Sequence, residues 1–206
     1  MPEILYADEQ IVIVNKPADL LSVPGRGEDK QDCVWRRVQK QFPTARIVHR
    51  LDYATSGLMV LALDADSHRK LSMEFQQRRT EKTYQALLTG FLASDSGEVN
   101  EPLRCDWENR PLQIVDYEYG KQAQTRWQLI NQETHGSRVR LFPVTGRSHQ
   151  LRVHMQYLGY PILGDRFYAS AEAQALSPRL LLHAEFLAFY HPHNSNWIEF
   201  KAPVPF

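Results

Sequence analysis

Cysteine is scarce: Cys33 and Cys105 are the two among 206 residues, and no Cys-x-x-Cys pair is formed. That excludes a disulfide-stapled scaffold and disfavours a zinc site, leaving two reduced thiols. Net charge is lacking too, since 24 Lys and Arg balance 24 Asp and Glu. RNA- and DNA-binding domains are usually basic. Neutral totals therefore disfavour an indiscriminate polyanion binder, although cations gathered on one face still allow a site-selective one. Arg78-Arg79 with Lys82, and Arg138 with Arg140 and Arg147, are the groupings able to supply such a face. No apolar run approaches the ~18 residues of a membrane span. The first residues, Met1-Pro2-Glu3-Ile4-Leu5, have neither the basic nor the apolar region of a signal peptide. A cytoplasmic location away from membranes is the expectation. Repeats, low-complexity tracts, dividing linkers and glycine-rich phosphate loops are absent as well.

What is present is an ordinary globular composition, with 43% hydrophobic and 23% charged residues. The length suits one sizeable domain or two small ones, and a single domain over 1–206 is the expectation. Ile11 to Val14 reads as a buried strand before Asn15-Lys16-Pro17. Asp32 to Phe42 reads as a helix with Asp32 as N-cap, stopped by Pro43. A second helix is expected from about Ala65 to Arg78, with Leu71 and Phe75 on one face. Lys82 to Thr89 alternates as a strand, with Tyr84, Ala86 and Leu88 on one face. Ala93 to Tyr119 reads as long loops and short strands, where a substrate-contacting insertion would sit. Thr125 to Leu129 and Val139 to Leu141 are expected to neighbour each other across an Asn131 to Ser137 turn. Ser148 to Leu158 reads as a helix capped by Ser148 and ended by Gly159. Leu180 to Tyr190 and Trp197 to Lys201 form a hairpin. Strands and helices mix without strict alternation, which predicts an α+β fold with a mixed, mostly antiparallel sheet flanked by helices and loops.

One stretch stands out. His49-Arg50-Leu51-Asp52-Tyr53-Ala54-Thr55-Ser56-Gly57 precedes the apolar run Leu58 to Leu63, which reads as a strand buried on both faces. An acid, an arginine and a histidine are thus mounted on a stiff element, as a catalytic group requires. Locally, an Asp followed by Thr-Ser-Gly is also an ordinary turn.

The blocks decide between these readings. His49-Arg50-Leu51-Asp52 with Thr55-Ser56-Gly57 resembles the central motif of the RluA-type pseudouridine synthases. Asn15-Lys16-Pro17, Lys82-Thr83-Tyr84-Gln85-Ala86, Gly146-Arg147-Ser148-His149-Gln150-Leu151-Arg152-Val153-His154, Pro161-Ile162-Leu163-Gly164-Asp165 and Leu181-Leu182-His183-Ala184 follow the same family in order. Cys105-Asp106-Trp107-Glu108-Asn109-Arg110-Pro111 resembles the branch that modifies both tRNA and rRNA and lacks the S4-type RNA-binding module. One departure is Asp19, where the family usually has glycine; a turn needing positive φ there would tolerate Asp less well than Gly.

The resemblance implies a pseudouridine synthase catalytic domain, without an S4 module. Its reaction is isomerisation of an RNA uridine to pseudouridine with no metal or organic cofactor. It implies Asp52 as nucleophile, with attack on C1′, addition to the ring and assisted loss of uracil all open as routes. Arg152 is implied as the partner that keeps the acid ionised, and Tyr84 as the residue that stacks on the base or moves a proton. Arg50 is implied to fill the gap left by the flipped base. His49 and His149 shape the site, Leu181 lines the uracil pocket, and Lys16 and Arg147 contact phosphates. The expected partners are tRNA anticodon and 23S rRNA stem-loops, met by a monomer. Two other readings stay open: a nucleoside or glycoside hydrolase pairing Asp52 with Asp165 or Glu185, and an RNA-binding module without catalysis.

Overall fold

The computed structural model describes residues 1–206. In chain order its strands are β1 (Glu3–Ala7), β2 (Ile11–Lys16), β3 (Arg46–Ile47), β4 (Ser56–Ala62), β5 (Glu81–Thr89), β6 (Ser96–Val99), β7 (Leu103–Cys105), β8 (Gln113–Val115), β9 (Thr125–Glu133), β10 (Gly136–Pro143), β11 (Leu182–Tyr190) and β12 (Trp197–Lys201). The helices are α1 (Val34–Gln39), α2 (Ala65–Gln76), α3 (Gln150–Tyr157) and α4 (Ala171–Ala175). The result is an α+β fold in which antiparallel pairing dominates. The chain divides into two compact units, Met1–Lys82 with His183–Pro205, and Thr83–Leu182 with Phe206.

The first unit is built around β4, buried at every position. Its run of apolar residues excludes solvent from both faces, so alternation is absent. β2 pairs with it antiparallel over Ile11 to Lys16, and Ile11, Ile13, Leu58, Val60, Leu71, Leu187 and Phe189 share one core cluster. β11 pairs parallel with the start of β4, His183 opposite Ser56 and Ala184 opposite Gly57. β3 takes the other end, Ile47 opposite Leu61. Gly57 has φ 117, and a Cβ there would lie 2.3 Å from the Ala184 carbonyl oxygen. Only glycine permits that approach. β12 pairs antiparallel with β11 as the expected hairpin.

Two caps in the sequence reading need correction. Cys33, not Asp32, caps α1: its Sγ accepts from the Arg36 amide, while Asp32 is drawn into an ion pair with Arg37 at 2.5 Å. The N-cap position of α3 falls on His149, in the left-handed region at φ 52 and with no side-chain capping bond, and not on Ser148. Asp64 caps α2, accepting from Ser67 N at 2.9 Å. Asp19 indeed sits at φ 55, so the turn requires the conformation that glycine adopts most easily.

In the second unit β5, β10, β9 and β6 form an antiparallel run, and β7 pairs with β8. β9 and β10 extend beyond their apolar cores to meet across Thr134-His135. The turn is thus shorter than the polar stretch from Asn131 to Ser137 implied, because exposed polar residues pair as well as apolar ones along a hairpin. α3 packs Val153 against Leu103, Ala123 and Tyr168. The five residues of α4 are too few to show a helical period in sequence.

Candidate active site

Asp52 lies on the loop between β3 and β4, and the main chain is clamped on both sides of it. On one side, the buried Ser22 hydroxyl donates to Leu51 O at 2.7 Å and accepts from Leu51 N at 3.1 Å. On the other, the Lys16 ammonium donates to Tyr53 O at 2.9 Å. The same ammonium donates to Pro17 O at 2.9 Å and Leu20 O at 2.7 Å, closing the turn that contains Asp19. Lys16 is fully buried. The expectation that it contacts a phosphate is corrected: its three donors serve carbonyls of its own chain. Asp52 itself is half-buried and Arg50 is exposed.

His49 fills a gap beside β4. Between the segments paired with β3 and with β11, the Val60 amide donates to His49 Nε2 at 3.1 Å. The imidazole stacks on Phe75 with centroids 4.4 Å apart. Burial, and then the nearby Lys82 charge, hold its pKa down to about 3. A neutral ring with Nε2 accepting an amide holds the strand and is no proton shuttle. The His183 ring likewise contacts its own chain, its Nδ1 2.8 Å from Ser56 Oγ.

In the second unit, Arg152 on α3 is buried and forms a two-pronged contact with Asp165: Nε to Oδ2 at 2.7 Å and Nη2 to Oδ1 at 2.6 Å. Asp165 is fully buried and also accepts from the amides of Phe167 at 2.9 Å and Tyr168 at 3.2 Å. The Phe167 and Tyr168 rings lie 5.1 and 5.0 Å from the guanidinium carbon. This arginine is held rigidly, so its charge has a fixed position. His149 Nδ1 lies 2.7 Å from the Tyr168 hydroxyl, which also accepts from Gln113 N at 2.9 Å. Tyr84 is half-buried on β5, opposite Leu141 of β10. Arg147 is exposed and donates to Gln122 O at 3.1 Å. Leu181 packs against the cluster of Leu87, Leu163 and Ala173.

Sequence reasoning passed over two organisers. Ser22 fixes the loop at Leu51. Gln150 is buried, accepts from Thr145 Oγ1 at 2.7 Å and Arg147 N at 3.0 Å, and donates to Gln124 O at 2.9 Å and Thr125 Oγ1 at 3.0 Å. A polar side chain inside an apolar stretch, Leu20-Leu21-Ser22-Val23, was the available signal for the first.

Asp52 thus lies on a loop whose main chain is clamped on both sides, three residues after a histidine that burial holds neutral. The comparisons supply its class. A family model described as RNA pseudouridylate synthase matches residues 10–157, and the chain belongs to that family of isomerases. Among curated relatives it is 53% identical over 204 residues to the dual-specificity RNA pseudouridine synthase RluA of Yersinia pestis, covering 98% of this chain and 99% of that one. The protein of the same name from Escherichia coli K12 is likewise 53% identical, with 98% and 93% covered. That of Pasteurella multocida is 49% identical over 205 residues, with 99% and 94% covered. The structure of human RNA pseudouridylate synthase domain containing 1 superposes with a TM-score of 0.84 at 29% identity, covering all of this chain and 84% of that one.

Proposed function

We propose that this protein isomerises specific loop uridines of structured RNA, with the tRNA anticodon stem-loop and a 23S rRNA hairpin as its two targets. The observation that carries the reading is Asp52, a carboxylate whose main-chain neighbours on both sides are fixed from within a buried core. The dual-specificity name of relatives at about half identity over nearly the whole chain supports two targets. In the reaction the N1–C1′ bond breaks, the uracil turns over and C5 bonds to C1′; C5 gives up its proton and N1 regains one. Nothing is oxidised or hydrolysed, so the chemistry calls for no cofactor.

Asp52 acts as nucleophile, with Arg152 as its positively charged partner and Tyr84 as the stacking or proton-moving phenol. Arg50, exposed, enters the space the flipped base leaves, which offsets part of the few kcal/mol that flipping costs. Arg147, His149 and Leu181 contact the substrate, and the protein works as a cytoplasmic monomer. Exposed aromatic residues Trp107, Tyr117 and Tyr119, with Arg110 stacked 4.5 Å over Trp107, suit splayed loop bases. The hydrolase reading loses one candidate second carboxylate, because Asp165 is consumed by Arg152 and two amides.

The test is pseudouridine mapping in tRNA and rRNA from cells lacking the protein. Missing modifications restored by wild type but not by Asp52→Asn are the expected result. Unchanged maps, or free uracil released from RNA by the purified protein, would overturn it.

A further inference from the structure

Of the cationic groupings in the sequence, Arg79 is spent on Glu74 and Arg138 on Glu133. A larger imbalance lies elsewhere. Residues 21–50 hold seven Lys and Arg against three Asp and Glu, which leaves the rest of the chain with 17 cations against 21 acids. Within that segment Arg37 pairs with Asp32, whereas Arg26, Arg36, Arg46 and Arg50 are exposed and form no ion pair.

The same segment builds an open apolar groove of about 270 Å³, lined by Val23, Pro24, Trp35, Ala45, Arg46 and Ile47. Main-chain contacts tie its walls together. At the start of α1, Val34 N donates to Leu21 O at 2.8 Å and Trp35 N to Ser22 O at 3.2 Å, which fixes the helix to the Val23-Pro24 loop. The Trp35 indole N–H donates to Ala45 O at 2.7 Å, which fixes the helix to the chain entering β3. That bond uses the one polar atom of the indole. What the groove offers a ligand is therefore ring and aliphatic surface together with one exposed cation, Arg46.

A ligand that fits has a flat apolar face and a negative charge. Pockets of ~300–1,000 Å³ take drug-sized molecules, so this smaller volume suits a single ring system. Nucleobases stack on aromatic side chains whatever their identity, and their phosphates meet cations. The groove also lies near the Asp52 loop. Ser22, whose carbonyl holds Trp35, clamps Leu51 through its hydroxyl. Arg46 precedes Asp52 by six residues, so the two lie within about 22 Å of each other. A single strand, at ~3.4 Å per stacked nucleotide, crosses that gap within one loop.

We infer that this groove holds a second unpaired base of the RNA loop that presents its uridine to Asp52, the base stacked against Trp35 and its phosphate on Arg46. The inference rests on the RNA reading above and adds to it a contact outside the reaction centre. Apart from the guanidinium, no lining side chain has a polar atom left to read a base edge. The groove thus registers that a base is splayed and not which base it is, which suits an enzyme with two RNA targets. A second copy of this chain is the competing occupant, but it would bring two segments of like charge together.

The test uses the full chain and an anticodon stem-loop RNA in which each loop nucleotide in turn is made abasic, with Trp35→Leu, Trp35→Phe and Arg46→Ala. At one position besides the target uridine, removing the base should weaken binding to wild type about 5–150-fold. Trp35→Leu should lose as much with the intact loop and nothing further with that abasic RNA, while Trp35→Phe keeps most of the affinity. Exchanging the base at that position should matter less than removing it. Arg46→Ala should leave the thermal midpoint unchanged and shrink the slope of log K against log salt by about 0.7. Kinetic losses should fall on KM more than on kcat. Additive losses at every loop position, or an unchanged slope in Arg46→Ala, overturn the inference. So does self-association of the wild type that Trp35→Leu abolishes. If Trp35→Leu does not fold, the Arg46→Ala slope decides. RNA that the wild type binds but does not isomerise would count against the functional reading instead, while the coupling still reports on the groove.

Discussion

Replacing Lys16 by methionine is the most direct probe of how the Asp52 loop is held. The change keeps the length and bulk of the stem but removes three N–H donors, which now reach Pro17 O, Leu20 O and Tyr53 O at 2.7 to 2.9 Å. Three carbonyls are then left facing a thioether methyl group. Each buried acceptor without a partner costs ~1–3 kcal/mol. Part of the sum is recovered because a buried ammonium no longer has to be desolvated. The net is a destabilisation of about 3 kcal/mol. In a chain of this size ~1 kcal/mol moves the thermal midpoint by about 2–4 °C, so a drop of about 6–12 °C is expected. Activity should fall further than folding. At a temperature where the variant is fully folded, Tyr53 is no longer tied and Asp52 is free to shift; a displacement of ~1 Å costs about 100-fold in rate. Calorimetry and tritium release from C5-labelled uridine in a stem-loop RNA measure the two quantities. A variant with the wild-type midpoint, weaker RNA binding and a smaller salt slope would refute the clamp and restore Lys16 as a phosphate contact.

Three further outcomes follow from the same geometry. His49 has a folded pKa of about 3 against ~6.5 when unfolded. Between those values the unfolded chain binds a proton that the folded chain refuses, so this contribution is present above about pH 6.5 and is lost as pH falls towards 3, by at most ~1.4 kcal/mol per pH unit. His49→Gln should flatten that dependence, and urea midpoints that fall equally for both proteins between pH 7 and 5 would contradict it. Asp165→Asn leaves the buried Arg152 charge facing a neutral amide, which should cost about 3 kcal/mol and lower kcat; denaturation with the wild-type midpoint would show that this carboxylate does not neutralise it. Gly57→Ala forces a methyl to within 2.3 Å of Ala184 O at φ 117, a loss of at least ~3 kcal/mol, read as loss of soluble expression; ordinary yield and midpoint would mean that β4 and β11 can part.

The elements legible in the sequence were those whose burial leaves a pattern along the chain. β2 and β4 are continuous apolar runs, α2 carries Leu71 and Phe75 one turn apart behind the Asp64 cap, and β11 and β12 flank a turn rich in Asn, Pro and His. The turn at Asp19 was legible only through the resemblance, whose usual glycine there marks a conformation other residues adopt less easily. The caps of α1 and α3 were misassigned since propensity favours Asp32 and Ser148. Asp32 instead pairs with Arg37, and the backbone turns left-handed at His149. The supports of the site were illegible for a different reason. Ser22 meets Leu51 across 29 residues and Lys16 meets Tyr53 across 37, so their partners are main-chain atoms that any sequence would provide. His49 shows the same limit: the partner of its ring, the Val60 amide, is a main-chain atom that only the fold reveals.

Under the proposed function Asp52 and Asp165 carry the same side chain to opposite uses, and the difference lies in where the hydrogen bonds fall. At Asp165 they fall on the carboxylate: two guanidinium nitrogens and two amides converge on it. Such an acid is immobile, its oxygens already engaged by its own chain, so it is suited to position Arg152. At Asp52 they fall on the main chain to either side, through Ser22 at Leu51 and Lys16 at Tyr53. The loop is thereby rigid without drawing on the carboxylate's oxygens. A nucleophile needs both conditions, a fixed position and lone pairs available to the substrate. Clamping the backbone with a buried hydroxyl and a buried ammonium meets them together, which is a physical reason for a lysine in a core that an apolar residue would otherwise fill.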